Sequence, residues 1–410
     1  MTQNFKAPKL RFPGFTDDWE QRKLGELMDI TSVKRIHQSD WTDFGVRFLR
    51  ARDIVAGYKK EEISEPLFIS EEKYNEYTAI SGKVKIGDLL VTGVGTIGVP
   101  MLINSDKPLY FKDGNIIWFK NENTVDGKFL YFSFVNESIQ KFIKESAGTG
   151  TVGTYTIDSG KKTPIYLPLQ KDEQKKIGQF FSNLDNLITL HQRKFETLKK
   201  LKKGFLQKMF PKNGESVPEI RFPGFTDAWE QRKLGDIYQR NTERNTNLID
   251  YSKTISVATM SFKDEGNGAS EDSLSSYKVL RIGDIAFEGH TNKQFRFGRF
   301  VVNDIGIGIM SPRFSTLRPI GDLPVNFWKQ YIHYEPIMRK VLVNATKAGT
   351  MMNELVIPEF LNQTILIPQN DEQKKIGDYF SKLDNLITLH QRKLDILKKL
   401  KQGMLQQMFI

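Results

Sequence analysis

Two stretches of the chain carry apolar residues at alternating intervals of four and three positions. The first seam consists of Ile177, Phe181, Leu184, Ile188, His191, Phe195, Leu198, Lys202 and Phe205. The second consists of Ile376, Phe380, Leu383, Ile387, His390, Leu394, Leu397, Lys401 and Met404. An average interval of 3.5 residues is typical of coiled-coil helices. The pattern therefore predicts two long helices, each about 57 Å in length.

The segments that precede these helices have a different pattern. Short apolar runs at Val46–Leu49, Leu89–Val91 and Ile116–Phe119 alternate with Gly, Asp and Asn, which is typical of strands and turns. Helical spacing follows over Phe129–Ile143, and again over Phe327–Val343. We predict that each insert, roughly 26–167 and 236–367, is a compact α+β domain.

The chain also contains a long internal repeat. Residues 11–25 and 221–235 are identical at 14 of 15 positions, and residues 172–194 and 371–393 are identical at 20 of 23. The two inserts diverge, although Ile-Gly-Asp, Ala-Gly-Thr and a final apolar-Pro segment occur in both. The inserts are therefore expected to share one fold and to carry different surface chemistry.

Connectivity limits how the helices can be arranged. The polar linker 211–220 spans at most about 33 Å, and a domain of this size has a radius of gyration of about 14 Å. Both lengths are short beside the helices, so the end of the first helix and the start of the second should lie close together. Paired helices would then run antiparallel, with His191 and His390 near the centre of the seam as a polar layer. The inserts would lie at opposite ends, related by a pseudo-two-fold axis.

Composition narrows the possible functions. The 410 residues include no Cys, which excludes disulfides, thiolate metal sites and a Cys nucleophile. No apolar run reaches the ~18 residues of a membrane span, and the N-terminus lacks a signal-peptide pattern. A cytoplasmic protein is the expectation. The formal net charge of +11 favours a polyanionic partner.

Most of the positive charge falls in the predicted helices. Residues 171–209 hold ten Lys and Arg against four Asp and Glu, and residues 371–409 hold eight against five. A solvated coiled-coil face would show the same bias. The alternatives are a track for a polyanion or a surface for an acidic partner.

Glycine-rich segments raise the possibility of a nucleotide-dependent enzyme. Residues 93–98 match G-x-G-x-x-G, but Val99-Pro100 follows where a dinucleotide site needs a helix. The corresponding segment of the second insert, 288–291, lacks these glycines, and the match at 148–153 follows a predicted helix. We interpret residues 93–98 as a tight strand connection. No catalytic motif is present, the five His are scattered, and neither a catalytic nor a metal site is expected.

Clusters of hydrogen-bond donors occur inside the inserts. Arg50 and Arg52 would lie on one face of a strand. Residues 290–299 contain His together with Asn, Lys, Gln and Arg, and the last four types read base edges in the major groove. A surface loop of no special function would look similar.

The order of repeats and inserts, together with the Asp-Glu-Gln-Lys-Lys-Ile-Gly helices, resembles a specificity subunit of a type I restriction-modification system. The resemblance implies two target recognition domains, 1–167 and 221–367, which read the halves of a bipartite asymmetric DNA site. It implies coiled-coil helices at 168–210 and 368–410 that fix the spacing, with the linker 211–220 joining the first helix to the second recognition domain.

The same resemblance implies a non-catalytic chain without a cofactor of its own. Two modification subunits would use S-adenosylmethionine to methylate adenine, and motor-nuclease subunits would use ATP and Mg²⁺. The expected DNA-contacting residues are Arg50, Arg52, Thr92, Thr96, Thr149, Thr151, His290, Asn292, Lys293, Gln294, Arg296, Arg299 and Lys347. The alternative is a structural coiled-coil protein with two protein-binding end domains.

Overall fold

The chain divides into two compact units. The computed structural model describes residues 6–147, 153–212, 214–266, 268, 270–350 and 352–410. Unit 1 comprises residues 1–192 and 392–410, and unit 2 comprises residues 193–391. Each unit therefore contains one insert, the first part of one long helix and the last part of the other.

The elements up to the first long helix form most of unit 1. They are β1 (Glu20–Lys23), α1 (Leu24–Leu27), β2 (Asp29–Thr31), β3 (Trp41–Thr42), β4 (Val46–Leu49), α2 (Ala51–Lys59), β5 (Leu67–Ile69), α3 (Glu71–Ser81), β6 (Leu89–Thr92), β7 (Pro100–Leu102), β8 (Leu109–Phe111), β9 (Ile116–Lys120), α4 (Gly127–Val135), α5 (Glu137–Ser146), α6 (Ile157–Lys162), β10 (Pro164–Leu167) and α7 (Lys171–Met209). The strands predicted from the three apolar runs are β4, β6 and β9.

The remaining elements belong mainly to unit 2. They are β11 (Glu230–Lys233), β12 (Tyr238–Arg240), β13 (Thr254–Ser256), β14 (Ser261–Lys263), β15 (Lys278–Leu280), β16 (Ile285–Glu288), β17 (Arg299–Val302), β18 (Gly308–Met310), β19 (Ser315–Pro319), α8 (Val325–Tyr331), α9 (Glu335–Ala345), β20 (Thr346–Lys347), β21 (Glu354–Leu355), α10 (Ile357–Asn362), β22 (Thr364–Ile367) and α11 (Asn370–Met408).

One antiparallel four-stranded sheet has the same topology in both units. Its strand order is β2-β9-β6-β7 in unit 1 and β12-β19-β16-β17 in unit 2. A second four-stranded sheet contains one parallel pair in each unit, β4 with β8 and β13 with β18. The inserts thus repeat one architecture although their sequences have diverged.

Every position of the two predicted seams is buried or half-buried in α7 and α11. Within unit 1, Lys401 Nζ lies 2.7 Å from Asp185 Oδ1, and the rings of Phe181 and Phe409 are 5.7 Å apart. Partner numbers fall as residue numbers rise, so these helix segments run antiparallel. In unit 2 the equivalent contacts are Lys202–Asp384 at 2.6 Å and Phe205–Tyr379 at 5.2 Å. The proximity of His191 and His390 stays a prediction.

The two repeated sequence blocks contact each other inside each unit. In unit 1, the Arg11 guanidinium donates hydrogen bonds of 2.8 and 2.7 Å to both carboxylate oxygens of Glu173, which is 1 % exposed. In unit 2, Arg221 binds the 1 % exposed Glu372 in the same way, at 2.9 and 2.7 Å. Each Glu lies in the first turn of a long helix, where a negative charge suits the helix dipole.

The glycine that ends the Lys-Lys-Ile-Gly segment allows the insert to approach the long helix closely. A Cβ atom at Gly178 would lie 2.8 Å from Asp126 Oδ1, at the start of α4. A Cβ atom at Gly377 would lie 2.6 Å from the backbone nitrogen of Phe327 in α8. The repeated blocks therefore build one junction twice, between an insert and the base of its helix.

The helical spacing over Phe129–Ile143 belongs to two helices instead of one. Asn136 is extended, and its side chain accepts a hydrogen bond from the Ser138 backbone nitrogen at the start of α5. In unit 2, α8 ends at Tyr331 and Pro336 stands in the first turn of α9. The apolar spacing marks the buried face, whereas a capping Asn and an N-terminal Pro set the breaks.

The Ile-Gly-Asp signature has a structural role in both inserts. Asp88 is buried and accepts hydrogen bonds from the Trp118 indole and the Lys85 backbone nitrogen. Asp284 is buried and forms an ion pair of 2.8 Å with Arg318. These carboxylates close the turn that precedes the central strand, β6 or β16.

Glu243, which shares Arg318 with Asp284, should make the stability of the fold sensitive to acid. Hydrogen bonds from Arg281 and then Arg318 lower the pKa of Glu243 to about 2. Because the ordinary pKa of Glu is about 4.3, ionised Glu243 stabilises the folded state fully above that pH. We expect this contribution to be lost as the pH falls towards 2. The Glu243→Gln variant should lose this part of the pH dependence in urea titrations at pH 5, 4 and 3, whereas Glu215→Gln should not. If the free energy of unfolding of Glu243→Gln fell with pH as steeply as that of the wild type, the expectation would be contradicted.

Candidate nucleic-acid interface

Six of the thirteen predicted DNA-contacting residues lie on two equivalent connections of the shared sheet. Residues 93–99 join β6 to β7 in unit 1, and residues 289–298 join β16 to β17 in unit 2. The two pairs of strands are antiparallel neighbours in both sheets. The structure thus places two clusters of unlike sequence at the same point of the fold.

The connection in unit 1 is a tight turn. Gly95 and Gly98 both have φ of 76°, a backbone conformation that favours glycine. The side chain of Thr92 is completely buried, donating to the Thr96 carbonyl at 2.6 Å and accepting from the Val99 nitrogen at 2.9 Å. Thr92 therefore holds the turn together, which corrects the expectation that it contacts DNA.

Thr96 is exposed on this turn. Thr149 and Thr151 lie outside the described residues, so their expected role stays a prediction. No helix follows the turn within the described residues, because β7 begins at Pro100. The structure agrees with a strand connection and not with a dinucleotide-binding fingerprint.

The connection in unit 2 presents a longer polar segment. Asn292 Oδ1 accepts hydrogen bonds from the Gln294 and Phe295 backbone nitrogens, at 2.9 and 3.0 Å. Phe295 is buried, and its ring lies 5.0 Å from the His333 ring. A local turn and an apolar anchor therefore fix this segment. Its exposed residues are His290, Thr291, Asn292, Lys293, Gln294 and Arg296.

Arg299 has a different environment from the rest of the cluster. Its guanidinium forms an ion pair of 2.5 Å with Glu288 and donates to the Ala258 carbonyl at 3.0 Å. It also packs over the Phe295 ring at 5.3 Å. In this conformation Arg299 holds the ends of the connection together.

A second segment of the chain lies against each connection. The Tyr155 backbone nitrogen donates to the Gly93 carbonyl at 2.9 Å, and the Asn353 nitrogen donates to the Gly289 carbonyl at 3.0 Å. These donors follow the two Ala-Gly-Thr segments. Lys347 belongs to this region of unit 2, where it pairs with Glu354 at 3.2 Å. The fold thus brings the segment that contains Lys347 to the 289–298 connection, although the two are about 50 residues apart in sequence.

The second insert retains two of the three glycines of the 93–98 segment, so the expectation that its corresponding segment lacks them is wrong. When the two units are aligned by strand register, Gly289 takes the position of Gly93 and Gly298 takes the position of Gly98. Gly298 also has a positive φ, of 88°. The connection in unit 2 is four residues longer between these glycines, which conceals the match in the sequence.

Arg50 and Arg52 do not lie on one strand face as predicted. Strand β4 ends at Leu49, and Arg50 is the residue that precedes α2. Its guanidinium pairs with Asp53 at 3.0 Å, while Arg52 lies on the helix, 3.4 Å from Glu65. Asp53 starts the helix because its carboxylate also accepts the Arg50 backbone nitrogen at 2.9 Å.

Comparison with known proteins identifies the family. Residues 16–200 and 226–399 each match the Type I restriction modification DNA specificity domain. The chain belongs to this family. Two matched copies, one in each half of the chain, correspond to the internal repeat.

Curated relatives are specificity subunits of type I restriction enzymes from Methanocaldococcus jannaschii. The MjaIX subunit is 22 % identical, with 95 % of this chain and 92 % of that protein covered. The MjaVIII subunit is 29 % identical over 46 % of this chain and 44 % of its own length. The similarity to MjaVIII therefore spans less than half of each protein.

A solved structure has the same fold. The S subunit of a type I restriction-modification system from M. genitalium superposes with a TM-score of 0.63 and 15 % identity, over 99 % of both chains. The fold class predicted from the sequence, two α+β recognition domains with long helices, is confirmed. The chain is a specificity subunit of the type I restriction-modification family.

The described residues of the specificity subunit include neither a metal-binding group nor a membrane-spanning helix. In the described part of the chain, no group of three or more His, Asp or Glu side chains is arranged to hold a metal ion. Among the described helices, none has both the length and the apolar character needed to cross a bilayer.

Proposed function

We propose that this chain is the non-catalytic DNA-reading subunit of a type I restriction-modification complex. Each unit reads one half of a bipartite, asymmetric target. The observation that carries the proposal is the pair of equivalent connections, 93–99 and 289–298, which share a position in the fold and differ in side chains. A protein that reads two different half-sites with one architecture needs this combination.

The unit 2 connection has the chemistry of a base-reading surface. Lys293, Gln294 and Arg296 are exposed and held on an ordered turn. Their amide, ammonium and guanidinium groups are donors that match base edges in the major groove. Lys and Arg elsewhere would contact phosphates, which position the protein without specifying sequence.

The long helices would fix the gap between the half-sites. The pairs Lys401–Asp185 and Lys202–Asp384 occur at equivalent positions of the repeat. Each joins the two helices at partly buried sites, so each opposes sliding of one helix along the other. A fixed register would give a fixed number of unread base pairs.

The repeat also supports a partner that binds twice. The sequence Glu-Gln-Arg-Lys occurs in β1 and in β11, and all four residues of β11 are exposed. Leu187 and Leu190 in α7, and Leu386 and Leu389 in α11, are likewise exposed and repeated. Folding constrains exposed side chains far less than buried ones. Two copies of an adenine modification subunit, which uses S-adenosylmethionine, would explain why these exposed Leu residues and the Glu-Gln-Arg-Lys segments are repeated. Motor-nuclease subunits that use ATP and Mg²⁺ would complete the complex.

A binding experiment tests this function. Selection of duplex DNA from a randomised pool by the full chain, with and without its modification subunits, should recover one split sequence. Affinity for it should fall as salt rises, because phosphate contacts release counterions. The combined Lys293→Ala and Arg296→Ala variant should relax only one half of that sequence.

Other outcomes would contradict the proposal. Recovery of no preferred sequence would favour a structural coiled-coil protein that binds other proteins through its end domains. Methyl transfer by the purified chain alone would contradict a non-catalytic role.

A further inference from the structure

Both units contain a cleft beside the connections described above. In unit 2 the cleft has a volume of about 430 Å³, and in unit 1 of about 450 Å³. The unit 2 lining includes Phe287, Gly289, Arg313, Ser315, Asn353 and Glu354. The unit 1 lining includes Ser32, Gly93, Gly114, Ile117, Thr154 and Asp158.

The two clefts are built in the same way. Each lies between the residue that follows the central strand, the start of β9 or β19, and the segment that follows Ala-Gly-Thr. A Cβ atom at Gly93 would lie 2.6 Å from the Tyr155 carbonyl oxygen. A Cβ atom at Gly289 would lie 1.9 Å from the Asn353 carbonyl oxygen. Glycine is therefore required at both positions for the walls to meet.

The chemistry of the two linings differs. The unit 2 cleft contains Arg313 and Glu354, whereas the unit 1 cleft is lined by neutral side chains and Asp158, without Lys or Arg. The same backbone frame with a changed lining is expected where two sites of one shape bind different members of one ligand class.

Arg313 is the distinctive residue of the unit 2 cleft. It is exposed in the connection between β18 and β19, and its guanidinium packs against the Phe314 ring at 5.6 Å. Within the described residues no carboxylate lies within ion-pair distance of it. By contrast, Arg299 binds Glu288, and Glu354 in the cleft binds Lys347. The guanidinium of Arg313 is therefore available to a ligand.

We propose that each cleft receives the edge of a base pair, and that in unit 2 Arg313 donates both hydrogen bonds of its fork to a guanine. This inference rests on the proposed function and assigns specificity to a residue outside the 290–299 cluster. Guanine offers N7 and O6 acceptors in the major groove, and a bidentate Arg contact matches their spacing. Packing on Phe314 orients the guanidinium before DNA binds.

The test compares Arg313→Ala and Arg313→Lys in the full chain. The probes are duplex oligonucleotides that carry the sequence selected by the wild type, with each base pair substituted in turn. Both variants should lose the preference for guanine at one position of one half-site, by about ten- to hundred-fold. Lys keeps the charge and loses the fork, so it should not restore the preference. Arg339→Ala, which removes an exposed Arg paired with Glu335 on α9, is the matched control and should keep it.

Each alternative result overturns the assignment. If Arg313→Lys restores binding to all sequences equally, Arg313 contacts phosphate. If the relaxed position falls in the half-site that responds to exchange of residues 24–163, the wrong unit has been assigned. If Arg313→Ala keeps the preference for guanine, only the assignment of Arg313 is overturned. If the wild type selects no sequence, the proposed function is overturned. Thermal unfolding of each variant should match the wild type, because the side chain is exposed.

Discussion

Replacing residues 24–163 with the corresponding insert of another specificity subunit should rewrite one half of the recognised sequence and leave the other half unchanged. The two ends of the insert lie side by side, because β1 and β10 pair with Lys23 opposite Pro164. The second insert is closed in the same way, with Lys233 opposite Thr364. A replacement domain would therefore meet the same backbone at both of its ends.

Sequencing of methylated adenines in cells that carry the exchanged chain and its partner subunits would measure this. The contrasting variant lengthens both long helices by one turn, within 172–209 and 371–409. It should keep both half-sites and widen the gap by about 5.4 Å, or one to two base pairs. An exchange that rewrites both half-sites, or an insertion that leaves the gap unchanged, would contradict the division of labour between inserts and helices.

The Arg11→Met variant should lower the free energy of unfolding by about 3–5 kcal/mol, because it leaves the carboxylate of Glu173 buried without its cation. Hydrogen bonding to Glu173 raises the pKa of Arg11, so the guanidinium stays charged. Urea unfolding of the full chain would measure the loss. The double variant Arg11→Met with Glu173→Leu should recover most of it, since no charge then stays buried.

An exposed pair provides the control. Arg22 lies 3.0 Å from Glu26, and both side chains are at least one-third exposed. Arg22→Met should therefore change the free energy of unfolding by less than about 1 kcal/mol. Equal losses in the Arg11 and Arg22 variants, or a double variant as unstable as the single one, would show that the buried pair does not hold the junction.

The residue pattern by itself determined the architecture. The 3.5-residue period predicted both long helices, which run over Lys171–Met209 and Asn370–Met408. The repeated blocks predicted two related domains, and the apolar runs predicted β4, β6 and β9. The periodic patterns are local in sequence, because periodicity reports which side of an element is buried without reference to the element it packs against. The repeats are read by comparing the sequence with itself and need no contact information.

The pattern did not determine which polar side chains are available to a ligand. Thr92 and Arg299 lie in segments whose sequences predicted DNA contact. Thr92 is buried in a turn, and Arg299 is bound to Glu288. Arg313 has no motif around it and was missed. Its position beside Gly289 depends on the pairing of β16 with β19, which joins segments about 30 residues apart.

Tertiary structure also decided what the repeated motifs do. Glu173 and Glu372 lie in the first turns of the long helices, where the helix dipole alone could explain an acidic residue. Only the packed units show that each is the buried partner of an Arg from a block more than 140 residues away. Likewise, the equivalence of Gly93 and Gly289 follows from strand register and from their contacts with Tyr155 and Asn353. The physical reason is common to these cases: burial and partner choice are properties of long-range contacts, and a one-dimensional pattern records only the local part of them.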